Sequence, residues 1–162
     1  MIMNFIEWAE SNGWSVIRKH DGKVKLNRKF SKRYPEIPPE YQEFLKLVEE
    51  FVSPSEKIWF LCQNDYNDKT DSAFKWNEFE QISLDAAGKD SAWKKEIISW
   101  WDKYLPIVMS VQDGYSFYAI DLYNEKGSIV EGFEPEFEEA TKIADSLEAF
   151  FDLIMKNGIE MK

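Results

Sequence analysis

Nucleophilic catalysis in this chain would have to draw on Cys62 and His20, because the sequence holds one cysteine and one histidine. Such a pair works only where the thiol loses its proton to a nearby base. Cys62 ends the apolar run Ile58-Trp59-Phe60-Leu61-Cys62, which predicts a buried small hydrophobe. His20 opens the tight-turn sequence His20-Asp21-Gly22-Lys23, which predicts an exposed turn residue. A single cysteine also excludes an internal disulfide and suits a reducing compartment.

Asn64 to Asp71 alternates Asp and Asn with other residues in the manner of a calcium loop. Counted from Asp65, however, the sixth position is Thr70 instead of Gly and the twelfth is Trp76 instead of Glu, so the EF-hand reading fails. There is no phosphate loop, no Gly-x-Gly-x-x-Gly, no Gly-x-Ser-x-Gly, no Cys-x-x-Cys and no His-x-x-x-His. No catalytic, cofactor-binding or metal-binding residue is assigned, and no cofactor is expected. Carboxylate-only hydrolysis needs just two converging acids, and Asp113, Asp121, Glu131 and Glu134 lie on or beside predicted strands. A chain with thirty acids offers such pairs by chance, so the expectation is a protein that is not an enzyme.

Those thirty acids face twenty basic residues, a formal net charge of −10. That balance repels a phosphate backbone and favours a basic protein as partner; nucleic acid and membrane are not expected as partners. Arg28, Lys29, Lys32 and Arg33 form the one basic cluster, with Phe30 and Tyr34 interleaved; beside Pro35 it reads as a solvated linker. The most distinctive charged feature is the run Glu131, Glu134, Glu136, Glu138 and Glu139, into which Phe133, Pro135 and Phe137 are set. Aromatic anchors supply buried contact area at an interface, and surrounding carboxylates speed encounter with a basic partner. Phe133, Glu134, Glu136, Phe137, Glu138 and Glu139 are therefore the candidate partner-binding residues. The competing expectation is that both phenylalanines tuck into the core and the glutamates only face solvent.

The elements that must carry this segment begin with strands at Ile107 to Val111, Phe117 to Leu122 and Ser128 to Phe133, separated by turns at Asp113-Gly114 and Glu125-Lys126-Gly127. They predict an antiparallel meander. Asp145, with Glu148 three residues on, predicts the start of a closing helix carrying Ile143, Leu147, Phe150, Phe151 and Ile154 on one face. Upstream, Ile2, Phe5, Ile6 and Ala9 predict an amphipathic helix stopped at Asn12-Gly13. Trp14 to Arg18 and Lys23 to Asn27 predict a hairpin with one wet face. Pro39 opens a helix bearing Tyr41, Phe44, Leu45 and Val48. A strand follows at Ile58 to Cys62. Trp76, Phe79 and Ile82 mark a helix ending near Gly88, and Ser91 is the expected cap of another carrying Trp93, Ile97, Trp100, Trp101 and Tyr104.

With 162 residues, 44% of them hydrophobic, the expectation is one domain, 1–162, large enough for a real core. No apolar run approaches the length of a membrane span and the N-terminus lacks a signal-peptide pattern, so a cytoplasmic location is expected.

The order of segments adds a resemblance. Ile37-Pro38-Pro39-Glu40-Tyr41 through Leu45, then Trp100-Trp101, Leu105-Pro106-Ile107, Asp113-Gly114, Phe117 to Leu122, Gly127 to Val130 and Ile143 to Phe150 together resemble the SUKH superfamily, the Smi/Knr-like domain. Lys57 to Trp93 departs from that pattern. The resemblance implies an α+β fold, a mostly antiparallel sheet with helices packed on it. It also implies an interaction protein: a bacterial immunity protein, or antitoxin, that neutralises a cognate polymorphic toxin, many of them nucleases. The alternative it implies is a regulatory scaffold binding endogenous signalling or cell-wall-synthesis proteins. Neither the toxin nor the oligomeric state is legible from it.

Overall fold

A single antiparallel sheet orders the rest of the chain in this computed structural model, which describes residues 1–161. Its strands are β1 (Ser15–Arg18), β2 (Val48–Val52), β3 (Ile58–Phe60), β4 (Tyr104–Ser110), β5 (Ser116–Asp121), β6 (Ile129–Phe133) and β7 (Thr141–Ala144), paired in sequence order from one edge to the other. The helices are α1 (Ile2–Ser11), α2 (Arg28–Arg33), α3 (Pro39–Leu47), α4 (Gln63–Tyr66), α5 (Glu78–Ala87), α6 (Ser91–Lys103) and α7 (Leu147–Met155). The fold is α+β, as expected.

The two faces of the sheet are covered unequally, and strand alternation assigns residues to each. On one face lie Phe51, Phe60 and Tyr118. Phe60 packs at 5.6 Å from Phe5 of α1, 5.4 Å from Phe44 of α3 and 6.1 Å from Phe151 of α7, and Tyr118 meets Phe150 at 5.0 Å. Phe5 also stacks on Phe151 at 4.0 Å, so the three helices share one aromatic core beneath the sheet. On the opposite face, Phe117 packs against Trp101 of α6 at 4.8 Å and Phe79 of α5 at 6.1 Å. The helices α5 and α6 reach only as far as β4 to β6. Phe74, at 6.0 Å from Trp59 and 5.4 Å from Tyr115, ends that cover. Beyond it, β1 to β3 present this face without α5 or α6 on it, and the short α4 with the loop after it stands at its side.

Several expectations are corrected here. Lys23 to Asn27 forms no strand: β1 pairs instead with β2, a strand the sequence reading missed. The 23–27 backbone is held by side chains of the α4 region: Lys25 N–H donates to Gln63 Oε1 at 2.7 Å, Asn67 Nδ2 donates to the Lys25 carbonyl at 2.7 Å, and Asn27 N–H donates to Asn67 Oδ1 at 2.7 Å. Side-chain acceptors have taken the ladder's place. The meander gains a fourth strand, β7, on β6. Two helix caps shift by one residue. Asp90 instead of Ser91 accepts the Trp93 N–H at the start of α6, and Ser146 instead of Asp145 accepts the Ala149 N–H at the start of α7. Asp145 turns outward to Lys142 at 2.6 Å, and their ion pair holds the Asp145 carboxyl below its ordinary range.

The basic cluster is also re-sorted. Phe30 and Tyr34 are buried, and the Arg33 guanidinium leaves the group to clamp two carboxylates. Its Nη1 and Nη2 donate to Glu80 Oε1 and Oε2 at 2.8 and 2.7 Å, and its Nε donates to Asp102 at 2.7 Å. The clamp ties α2 to α5 and α6, and Glu80 is only 3% exposed. No interleaved basic-aromatic face remains on α2.

Candidate partner-binding surface

The acidic loop after β6 is anchored at one end and displayed at the other. Gly132 lets it turn back: a Cβ there would meet the Phe117 ring at 2.6 Å and the Phe137 carbonyl at 2.7 Å. Phe137 is 1% exposed and stacks on Phe79 at 4.8 Å, within the α5 layer. Glu138 also points inward. Its Oε2 accepts both the Trp101 indole N–H at 2.9 Å and the Ser83 hydroxyl at 2.8 Å. Phe137 and Glu138 are thus the loop's attachment to α5 and α6. By contrast Phe133 is 54% exposed, and Glu134, Glu136 and Glu139 are exposed with no ion-pair partner among the described residues. Of the six residues predicted from sequence, the structure brings four to the surface, buries Phe137 in the core and turns the half-buried Glu138 inward.

The other acids considered from sequence have separate surroundings. Asp121 is buried and accepts the backbone N–H groups of Tyr123, Asn124 and Glu125 at 2.9, 2.9 and 3.0 Å, fixing the β5–β6 turn. Glu131 lies opposite Tyr118; burial first, and then the Glu131 charge, pushes that phenol well up. Asp113 is exposed in the β4–β5 turn. Cys62 is buried, and burial pushes its thiol far above the ordinary range, with the Asp65 charge adding to it. Among the described residues no group of His, Cys, Asp and Glu side chains is arranged to hold a metal ion.

A second surface was not foreseen. Over the uncovered face of β1 to β3 runs a groove of about 660 Å³, roofed on one side by residues 64–74. Its floor comes from Ile17, Val52 and Trp59, which cross-strand register places on one face, with Phe74 at its end. Ile17 is 48% exposed. Glu49, Glu50, Glu56, Asp65 and Asp71 line it, against a single cation, Lys69. Burial, reinforced by the Glu50 charge, raises the Asp65 carboxyl above its ordinary range even though Asp65 accepts the Cys62 N–H at 2.8 Å. One sequence signal could have found this groove: Ile17 alternates with Val16 on β1, so an apolar residue falls on each face, and Ile17 lies opposite Glu50 once β2 is recognised.

The two surfaces meet at the β4–β5 turn. Tyr115 accepts the Glu134 N–H at 2.9 Å through its carbonyl, while its ring packs on Phe74 at the groove's end.

An antiparallel sheet backed by α1, α3 and α7 on one face and by α5 and α6 on part of the other is an α+β architecture. Comparison with known protein families matches residues 28–153 to the SMI1 / KNR4 family (SUKH-1). The chain belongs to that family. Comparisons with curated proteins and with solved structures returned no match. The matched span includes Lys57 to Trp93, the segment that departs from the pattern in the sequence. Among the described residues no helix is long and apolar enough to cross a membrane.

Proposed function

We propose that this protein is a cytoplasmic immunity protein that binds a cognate bacterial toxin, a nuclease by class, and neutralises it stoichiometrically and without turnover. The observation that carries the reading is the displayed part of the acidic loop, where Glu134, Glu136 and Glu139 stand unpaired around the exposed Phe133 on a SUKH-1 fold. Enzymes that act on nucleic acid need basic substrate channels, and an acidic face occludes such a channel while steering its own approach. Family membership fits this reading and equally a regulatory scaffold for endogenous proteins, and capture separates the two.

The test uses the full chain as bait in its native host, with the captured proteins released along a salt gradient. Recovery of one basic toxin domain, inactive while bound, is the expected result. Recovery of endogenous signalling or cell-wall-synthesis proteins alone would move the assignment to the scaffold. With a toxin in hand, the triple variant Glu134→Lys, Glu136→Lys, Glu139→Lys should slow association by about tenfold or more at low salt and flatten its salt dependence. Glu138 is left out of that set because its carboxylate holds the loop to the core. Unchanged association kinetics would remove the loop from the interface.

A further inference from the structure

The uncovered half of the sheet has a chemistry of its own. Floors built from Ile17, Val52 and Trp59 are ordinarily covered, since each carries apolar area that gains by leaving water. Here α5 and α6 stop short and Phe74 closes their layer, so the floor remains open under a rim of carboxylates. The rim would repel phosphate, which sets aside nucleic acid and anionic lipid. β1 is the edge strand, so the groove is open on that side to a chain longer than the groove itself.

We propose that this groove seats an extended segment of a basic protein partner, one apolar side chain entering between Ile17 and Trp59 while flanking lysines or arginines meet Glu50, Glu56 and Asp71. The inference rests on the reading of the protein as one that binds a basic partner, and extends it to a second contact beside the acidic loop. Alternate residues of an extended segment point to opposite sides, so the apolar side chain meets the floor while the long flanking lysines or arginines turn their charged ends back to the rim carboxylates. A cation-apolar-cation alternation is therefore what the floor and rim select together. The Asp65 carboxyl is raised by burial first and by the Glu50 charge after it, and an incoming cation would offset the second of these.

The test is an NMR titration of the ¹⁵N-labelled full chain with a synthetic peptide of alternating lysine and leucine; the same peptide with glutamate for lysine is the control. Shift changes are expected at Ile17, Val52, Phe74 and the Trp59 indole N–H, with the lysine peptide alone, weakening as salt rises. Ile17→Lys changes an exposed residue and places a cation at the groove's floor. It should weaken peptide binding by about tenfold or more, and Glu50→Lys with Asp71→Lys should do the same. Absence of shifts at millimolar peptide, shifts centred elsewhere, or unaltered binding by these variants would each overturn the proposal. Its failure is separable from failure of the immunity reading. A toxin neutralised as well by Ile17→Lys as by the wild type would dismiss the groove and leave immunity standing, whereas groove-centred peptide binding by a chain that neutralises no toxin would uphold the groove alone.

Discussion

Glu138 gives the clearest quantitative test of how the acidic loop is built. Both of its hydrogen bonds end on one oxygen, Oε2, which accepts from the Trp101 indole at 2.9 Å and the Ser83 hydroxyl at 2.8 Å. Glu138→Ala strands both donors. Trp101 is 2% exposed, so its N–H has no ready access to water, and a buried donor left unpaired costs roughly 2 kcal/mol. The Ser83 hydroxyl can rotate to another acceptor, and its loss adds about 1 kcal/mol. The expected destabilisation is therefore about 3 kcal/mol. Glu138→Gln keeps a carbonyl oxygen where Oε2 stood and forfeits only the assistance of the charge, about 1 kcal/mol. Glu136→Gln, on the displayed side of the loop, should stay within about 0.5 kcal/mol of the wild type. Urea denaturation followed by tryptophan fluorescence measures all three. An Ala variant within 1 kcal/mol of the wild type, or a Gln variant as damaged as the Ala variant, would refute the view that Glu138 anchors the loop through Oε2.

Three further outcomes follow from the same structure. Arg33→Met keeps the apolar stem but leaves Glu80 buried beside no cation, which should cost about 3 kcal/mol. In a chain of this length that lowers Tm by roughly 6 to 12 °C, and a calorimetric shift under 2 °C would mean the clamp is idle. Cys62 should resist a thiol reagent such as iodoacetamide at neutral pH until the protein is unfolded in urea, because burial and the Asp65 charge suppress its thiolate; labelling at the native rate of a free thiol would contradict this. Asp65 supplies a pH signature. Its carboxyl pKa is raised by burial, so the folded state holds that proton more tightly, and stability is lost as pH rises from the unfolded value of about 4 through the folded one. Asp65→Asn lacks that loss, so its stability relative to the wild type should climb as pH rises above the unfolded value of about 4; a difference that stays flat with pH would dismiss the burial argument.

Where the sequence could be read, its local signals and its tertiary fate agreed. Pro39 opens α3, Gly88 follows α5 with positive φ, and the strands from Ile107 to Phe133 lie in the meander their alternation predicts. The misses have identifiable physical causes. Val48 to Val52 continues the apolar spacing of α3, and its Glu49-Glu50 doublet breaks strand alternation, so β2 was invisible until its pairing with β1 and β3 is seen. Lys23 to Asn27 has the alternation of a strand but lost its partner to Gln63 and Asn67, acceptors some forty positions away. The acidic loop was legible as a cluster, yet which of its residues face out depends on α5 and α6. Nothing local distinguishes Glu136 from Glu138; only the placement of Trp101 and Ser83 does.

The ion pairs explain why the surplus of acid acts as a surface feature instead of a diffuse charge. Arg18 meets Glu10, Arg33 meets Glu80 and Asp102, Lys46 meets Glu43, and Lys142 meets Glu125 and Asp145. None of these cations lines the groove or touches the displayed end of the loop. Among the described residues four cations are thus engaged in ion pairs away from the two surfaces, while carboxylates stand without an ion-pair partner beside Phe133 and along the Ile17 to Trp59 floor. Exposed ion pairs contribute little to stability. Added lysines in those two places would therefore gain the fold almost nothing, and they would cancel the negative field at the two proposed contact surfaces. The two surfaces adjoin at the β4–β5 turn, so one partner can be steered by the loop and seated in the groove in a single approach. Charge reversal at the loop should accordingly act on the association rate, and loss of the Ile17 contact on the dissociation rate.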